Sequence, residues 1–170
     1  MKIVVSACLL GESCKYNGLD NYHRELVEAC ERTATEVLLV CPEVFGGLPT
    51  PRDPSEIVNG EVRTCAGVSI DREFRLGAQR ALDICEQAGG PEEIAACILQ
   101  DRSPSCGAGR IYDGTFSGTL TAATAFSSIC CCVTATASFR LASSTPACWN
   151  IVHSTRTQHF LTGDRFWHHP

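Results

Sequence analysis

Three short apolar runs, at 3–5, 37–40 and 95–99, constrain the fold of this 170-residue chain more than any other feature. The segments between them have the apolar spacing of amphipathic helices, so strands and helices alternate along the chain. This alternation favours an α/β fold with a largely parallel sheet, because right-handed crossovers return the chain to the same sheet. We therefore predict a single-domain, three-layer, Rossmann-like architecture with flanking helices.

Two segments between the runs are predicted to be helices. The first covers the region 23–30, and Asp20 or Asn21 is placed to cap its N-terminus. The second begins at Asp71 and ends at the pair Gly89-Gly90, which is typical of a helix C-terminus. Each helix lies between two predicted strands, as a parallel sheet requires.

Each predicted strand runs into a polar loop that contains Gly, Pro or Ser. These loops are 9–18, 42–54 and 101–114. The carboxyl ends of parallel strands meet at one edge of a sheet, and ligands of α/β folds bind there. We therefore expect the chemistry of this protein in these three loops.

Twelve cysteines could form disulfides, bind metal or fill the core. The apolar stretch at the N-terminus is too short for a secretory signal, so we expect a cytoplasmic protein with reduced thiols. Cys30, Cys85 and Cys97 lie on apolar faces of predicted helices and strands, which indicates small core residues. Cys65 has no neighbours in the sequence that suggest a role.

Cys8, Cys41 and Cys106 differ from the others because they end strands or lie in the loop that follows one. With Cys14 as a fourth ligand they could form a structural zinc site. An iron-sulfur cluster held by the three alone would leave one iron open to an exogenous atom. Their positions leave both interpretations open.

Polar residues stand beside two of these thiols. Glu43 could serve as a general acid or base, and the Ser103 and Ser105 hydroxyls could form hydrogen bonds to a ligand. A solvated loop carboxylate and two hydroxyls that satisfy a turn explain the same residues, and taken alone they favour this interpretation slightly.

The loop 46–52 is rich in Gly and Pro, which suits a stiff segment close to a ligand. Its last residue, Arg52, could hold an oxygen atom of a substrate. We expect instead that Arg52 pairs with Asp53 or Glu56, which lie close to it in the sequence.

The balance of charges excludes some classes of partner. The 14 Lys and Arg against 19 Asp and Glu give a formal net charge of −5, which argues against a nucleic acid polymer as a partner. No apolar run approaches the roughly 18 residues of a membrane span. A hydrolase with Cys8 or Cys106 as nucleophile is a weak alternative, because His23 is the single histidine before the last third of the chain.

The segments described above resemble the thiouracil desulfurase family over roughly residues 1–120. Several uncommon strings occur in order, and Gly77-Ala78 in the long helix also matches. The strings are Ser6-Ala7-Cys8-Leu9-Leu10-Gly11, Cys41-Pro42-Glu43, Gly46-Gly47-Leu48-Pro49-Thr50-Pro51-Arg52, Ser103-Pro104-Ser105-Cys106-Gly107 and Tyr112-Asp113-Gly114-Thr115-Phe116.

The resemblance implies a [4Fe-4S] cluster bound by Cys8, Cys41 and Cys106, with Glu43 and Ser103 at the family's catalytic positions. It implies a non-redox replacement of sulfur by oxygen in a small thiolated base such as 2-thiouracil, with release of hydrosulfide. A non-catalytic cytosolic zinc or iron-sulfur module is the alternative. The oligomeric state is not indicated.

The segment 121–170 differs from the rest of the chain. Residues 119–170 contain three basic and one acidic residue, and the family's last helix and strand are not recognisable there. We predict a desulfurase-like domain over 1–120 and an atypical tail over 121–170, produced by a change of reading frame near Thr121. If the tail replaces the last helix and strand of the family, one flank of the sheet would be exposed. This hypothesis treats a set of residues as accidents of the wrong frame: Cys130, Cys131, Cys132, Cys148, His168 and His169.

Overall fold

The computed structural model describes residues 2–90, 92–123, 125, 140–141 and 149–153. A short 3-10 helix, Ala7–Leu10, follows the first strand. The other elements are β1 (Lys2–Ser6), α1 (Arg24–Thr33), β2 (Glu36–Val40), α2 (Pro42–Phe45), β3 (Ser55–Val58), β4 (Glu61–Thr64), α3 (Asp71–Gln87), β5 (Ile94–Gln100), β6 (Ile111–Tyr112), β7 (Leu120–Thr121), β8 (Arg140–Leu141) and β9 (Trp149–His153).

The central sheet has the strand order β2-β1-β5-β9-β8. Its first three strands are the three apolar runs of the sequence, and they pair in parallel. The α/β prediction is therefore confirmed. Strand β9 pairs antiparallel with β5 from Ala96 to Gln100, so the flank that we expected to be open carries a strand. Most of the predicted tail lies outside the described residues, and the change of frame near Thr121 stays a prediction.

Helices cover the sheet on both faces. On one face Val4 and Leu99 pack with Ala81 of α3, and on the other face Val5 packs with Leu26 of α1. Because side chains alternate along a strand, β1 supplies both cores. Burying an aliphatic side chain of this size contributes about 1.5–3 kcal/mol. The three layers thus hold the carboxyl edge of the sheet in place.

The cysteines predicted to fill the core do so. Cys85 and Cys97 are buried on the α3 face, and Cys30 packs against the core on the α1 face. None of the eight cysteines that the structure describes is in a disulfide.

Helix α1 begins differently from the prediction. Its N-cap position is His23, without a side-chain hydrogen bond to the helix. Asp20 accepts a hydrogen bond from the Tyr22 backbone N–H at 3.0 Å, and the Asn21 side chain bonds to Gln100. The predicted capping role of Asp20 or Asn21 is therefore wrong, because both side chains have other partners. Of the helices in the described residues, none is long and apolar enough to cross a membrane.

Helix α2 was predicted as loop, and it packs backbone to backbone against α3. A Cβ atom added to Gly77 would collide with the carbonyl oxygen of Pro42, and one added to Gly46 would collide with that of Glu73. These glycines let the two helices approach closely. The contact fixes α2, and with it Glu43, against the body of the domain.

Candidate functional site

A cavity of about 580 Å³ lies at the carboxyl ends of β1, β2 and β5. All five residues that the resemblance assigned to the site line it, and so does Cys14. The five are Cys8, Cys41, Cys106, Glu43 and Ser103. Three segments far apart in the sequence therefore meet at the predicted edge of the sheet.

Each thiol is placed by the end of a strand. Cys8 lies in the 3-10 helix directly after β1, Cys41 occupies the N-cap position of α2, and Cys106 follows β5 in a turn. Cys8 and Cys106 are buried. The Cys41 Sγ lies 3.9 Å from the backbone oxygen of Cys14, so the fourth thiol belongs to the same wall.

The thiols of the cavity shift one another's pKa values. Burial raises the pKa of Cys106 to about 12, and the nearby Cys41 adds to the rise. A hydrogen bond with Cys41 lowers the pKa of Cys14, but a hydrogen bond with Cys8 and burial raise it to about 11. A hydrogen bond with Cys14, followed by burial, raises the pKa of Cys41 far above its usual range. A metal centre bound here would have to displace these protons.

The chemistry of this donor set fits an iron-sulfur cluster. Thiolates are soft ligands that select zinc, copper(I) and iron-sulfur centres. In the part of the chain that the structure describes, no three His, Cys, Asp or Glu side chains converge as ligands of a single ion. The thiols instead line a cavity, and a cluster takes its thiolates at separate corners.

Glu43 is held from both sides. Arg52 Nε donates to its Oε2 at 2.8 Å, and Ser105 Oγ donates to its Oε1 at 2.8 Å. The Glu43 and Arg52 side chains are 11% and 7% exposed, so this is a buried ion pair. The interpretation of Glu43 as a solvated loop carboxylate is therefore wrong.

Arg52 pairs with Glu43, not with Asp53 or Glu56 as we expected. The loop after α2 folds back, so that the guanidinium reaches the helix that precedes the loop. Arg52 Nη2 also donates to the backbone oxygen of Cys14 at 2.9 Å. One side chain thus connects the carboxylate to the loop that carries the fourth thiol.

The sequence analysis considered two roles for Ser103 and Ser105, stabilising a turn and bonding to groups of the site, and each serine has one of them. Ser103 Oγ accepts the backbone N–H groups of Ser105 at 3.2 Å and Cys106 at 3.3 Å, as expected of a turn residue. Ser105 Oγ is buried, bonds to Glu43 and lies 3.7 Å from Cys106 Sγ. The two hydroxyls are 3.0 Å apart, so Ser103 is connected to Glu43 through Ser105.

A row of polar side chains that the sequence analysis did not assign to the site completes one side of the cavity. Lys15 Nζ donates to Asn21 Oδ1 at 2.7 Å, and Asn21 Nδ2 donates to Gln100 Oε1 at 2.5 Å. Gln100 Oε1 is also 4.0 Å from Cys8 Sγ. Gln100 ends β5 beside Ser6 of β1, a position that could have been found from the parallel order of the strands.

Comparison with known proteins gives three matches. A family model described as 2-thiouracil desulfurase matches residues 3–132. YbbK of Bacillus subtilis (strain 168), described as an uncharacterized protein, is 34% identical over 126 residues, which are 68% of this chain and 80% of YbbK. The solved structure of the [4Fe-4S]-dependent thiouracil desulfidase TudS is 40% identical, with a TM-score of 0.67, and the match covers 76% of this chain and 83% of that one. The resemblance that the motifs indicated is confirmed, and the family match extends to residue 132.

Proposed function

Because this chain belongs to the 2-thiouracil desulfurase family, we propose that it replaces the sulfur of a 2-thiouracil-like base with oxygen. The reaction converts C=S and water into C=O, hydrosulfide and a proton, without net oxidation or reduction. The observation that carries the proposal is a cavity lined by five cysteines, among them Cys8, Cys41 and Cys106, in which the buried Glu43 carboxylate accepts a hydrogen bond from the serine next to Cys106.

Cys8, Cys41 and Cys106 would hold a [4Fe-4S] cluster in this cavity. When bound, the cluster would supply an iron without a protein ligand, a Lewis acid with affinity for the sulfur of the substrate. Cys14 lies beside Cys41 but is not needed as a ligand. The partner is a small thiolated base. The net charge of −5 also argues against a nucleic acid polymer as the partner.

Glu43 would handle the protons of the reaction. Each of its carboxylate oxygens accepts one hydrogen bond in the structure and keeps a second lone pair. Glu43 would take a proton from the attacking water and return one to the departing sulfur. Arg52 and Ser105 fix the carboxylate in one orientation, and Ser103 would orient the water or a ring group of the substrate.

Anaerobic purification followed by iron, sulfide and zinc analysis tests the cluster, and hydrosulfide release from 2-thiouracil tests the activity. We expect a brown protein with about four irons and four sulfides per chain, because a [4Fe-4S] cluster contains four of each. The Cys41→Ala variant should lose the iron, whereas Cys30→Ala, a core cysteine of α1, should keep it. A colourless zinc protein without hydrosulfide release would contradict the proposal and support the non-catalytic module.

A further inference from the structure

Three aromatic side chains, Tyr16, Tyr112 and Phe116, line the cavity together with the thiols. The chemistry proposed above gives them no role. Phe116 is 37% exposed, although it is a large apolar side chain. An aromatic ring on the wall of a polar cavity is a candidate contact for a ligand.

The backbone at Phe116 is strained. Its φ is +56°, in the left-handed region that residues other than glycine seldom adopt. Such conformations persist where the surrounding structure imposes them, and they cluster at functional sites. Contacts of the surrounding residues with this turn are therefore expected to hold Phe116 in its left-handed conformation.

Glu56 of β3 holds the turn that contains Phe116. Its Oε2 accepts the backbone N–H of Gly114 at 2.9 Å and that of Phe116 at 3.0 Å. Glu56 is 7% exposed, so the two bonds form away from bulk water. A Cβ atom added to Gly114 would collide with the carbonyl oxygen of Ile57, which shows how closely the turn packs on β3.

The same turn is also closed internally. Asp113 Oδ1 accepts the backbone N–H of Thr115 at 3.0 Å and its hydroxyl at 2.6 Å. The turn is therefore fixed both to β3 and within itself. Its arrangement presents the ring of Phe116 at the cavity in one defined position.

We propose that Phe116 is the platform on which the substrate ring stacks, and that Glu56 is the positioning residue that holds this platform. The inference rests on the proposed function for the identity of the ring, a planar thiolated pyrimidine. An aromatic face binds any base without reading its edges. Stacking leaves the ring edge, with its thiocarbonyl group, free to reach the cluster site and Glu43.

The test compares uracil with 5,6-dihydrouracil, which has the same imide edge but neither a planar nor an aromatic ring. Binding of each to the loaded full-length protein is measured by titration calorimetry. The wild type should bind uracil about 5- to 100-fold more tightly than dihydrouracil, as stacking of one base predicts. Phe116→Leu, which keeps an apolar side chain but no ring, should lose this preference, and Phe116→Tyr should keep it.

Kinetics separate the inference from the proposed function. Phe116→Leu should raise the KM for 2-thiouracil by the same factor and leave kcat nearly unchanged. If the wild type releases hydrosulfide and Phe116→Leu retains both its KM and the ring preference, the platform is wrong and the function stands. If the wild type releases none but the ring preference depends on Phe116, the function is wrong and the platform stands. Absence of any ring preference in the wild type also overturns the platform.

Glu56→Ala tests the positioning role. It should raise KM as Phe116→Leu does and accelerate hydrogen exchange of the Gly114 and Phe116 amides, whereas Glu56→Gln should restore much of both because it keeps an acceptor oxygen. Glu61→Ala, on the neighbouring strand, is the matched control and should change neither. An unchanged KM in Glu56→Ala together with faster exchange would show that the turn is held for structural reasons alone.

Discussion

At the scale of one residue, the Glu43 carboxylate is the group of the proposed site that is held by the most defined contacts. It is buried, paired with Arg52, nine positions away, and bonded to Ser105, 62 positions away. Removing one partner of a buried ion pair typically costs about 3–5 kcal/mol, because the other charge is left without compensation. Replacing both partners of such a pair by apolar residues is often neutral for stability, so we expect the pair to serve the geometry of the site more than the stability of the domain.

The substitution Glu43→Gln keeps the shape of the side chain and removes its proton acceptor. We expect hydrosulfide release to fall about 100- to 10,000-fold, the usual contribution of a general base, while the iron content stays unchanged. Glu36→Gln, at an exposed position of β2, is the control and should release hydrosulfide at the wild-type rate. Full activity of Glu43→Gln would remove the carboxylate from the mechanism.

At the scale of elements, the site depends on where strands and helices end. Parallel pairing of β2, β1 and β5 places the residues that follow them at one edge of the sheet. The close contact between α2 and α3 then fixes the position of Glu43 relative to that edge of the sheet. The position of the carboxylate therefore depends on the contact between α2 and α3.

Gly77→Ala tests this contact. In most helices the change stabilises a protein by about 0.5–1 kcal/mol, but here the methyl group has no room beside the Pro42 carbonyl oxygen. We expect a loss of about 1–3 kcal/mol in the free energy of unfolding. This corresponds to a decrease of about 2–12 °C in the Tm of a protein of this size.

Thermal unfolding followed by circular dichroism measures the effect. Gln79→Ala, on the exposed face of the same helix, should change the stability by less than about 0.5 kcal/mol. A Gly77→Ala protein as stable as the wild type would mean that α2 can move away from α3. In that case its hydrosulfide release should still fall, because Glu43 would move with α2.

On the scale of the whole molecule, the cavity is lined by residues of both hydrophobic cores. Cys8 packs in the core on the α1 face, and Cys106 packs in the core on the α3 face. A cluster bound to both, and to Cys41, would connect the two faces of the sheet at one edge. Anything that binds the folded state and not the unfolded chain stabilises the fold.

Removal of the cluster by an anaerobic chelator should therefore lower the stability. At an effective saturation of 100 times Kd the bound state is more stable by about 2.7 kcal/mol, which predicts a decrease of roughly 5–10 °C in Tm on removal. Differential scanning calorimetry of both forms measures it. Cys41→Ala should melt like the chelated wild type before and after treatment with iron and sulfide, and coincident melting of the two wild-type forms would contradict a structural link.

The core strands and the thiols could be predicted because their signals are local. The runs at 3–5, 37–40 and 95–99 and the cysteines that follow two of them are visible in single segments. The hairpin of β3 and β4 was missed, although its turn, Asn59-Gly60, is a standard hairpin signal, and both residues have positive φ. That signal was present and was not used.

The partners of the functional groups could not be predicted from the sequence. Ser105 bonds to a carboxylate 62 positions away, and Arg52 reaches Glu43 because the intervening loop turns back on α2. Glu56 was expected to pair with Arg52 but holds the turn at Phe116. Each of these contacts depends on how the chain folds between two segments. Residue type and spacing alone do not determine that fold.

The guanidinium of Arg52 has a consequence for protein engineering. It donates to Glu43, to the Cys14 backbone and to the Pro49 carbonyl, and a lysine could not reproduce this planar set of donors. A library designed to accept other thio-heterocycles should therefore keep Arg52 constant. Diversity belongs at Tyr112, which lines the cavity and, unlike Phe116, is no part of the proposed stacking platform.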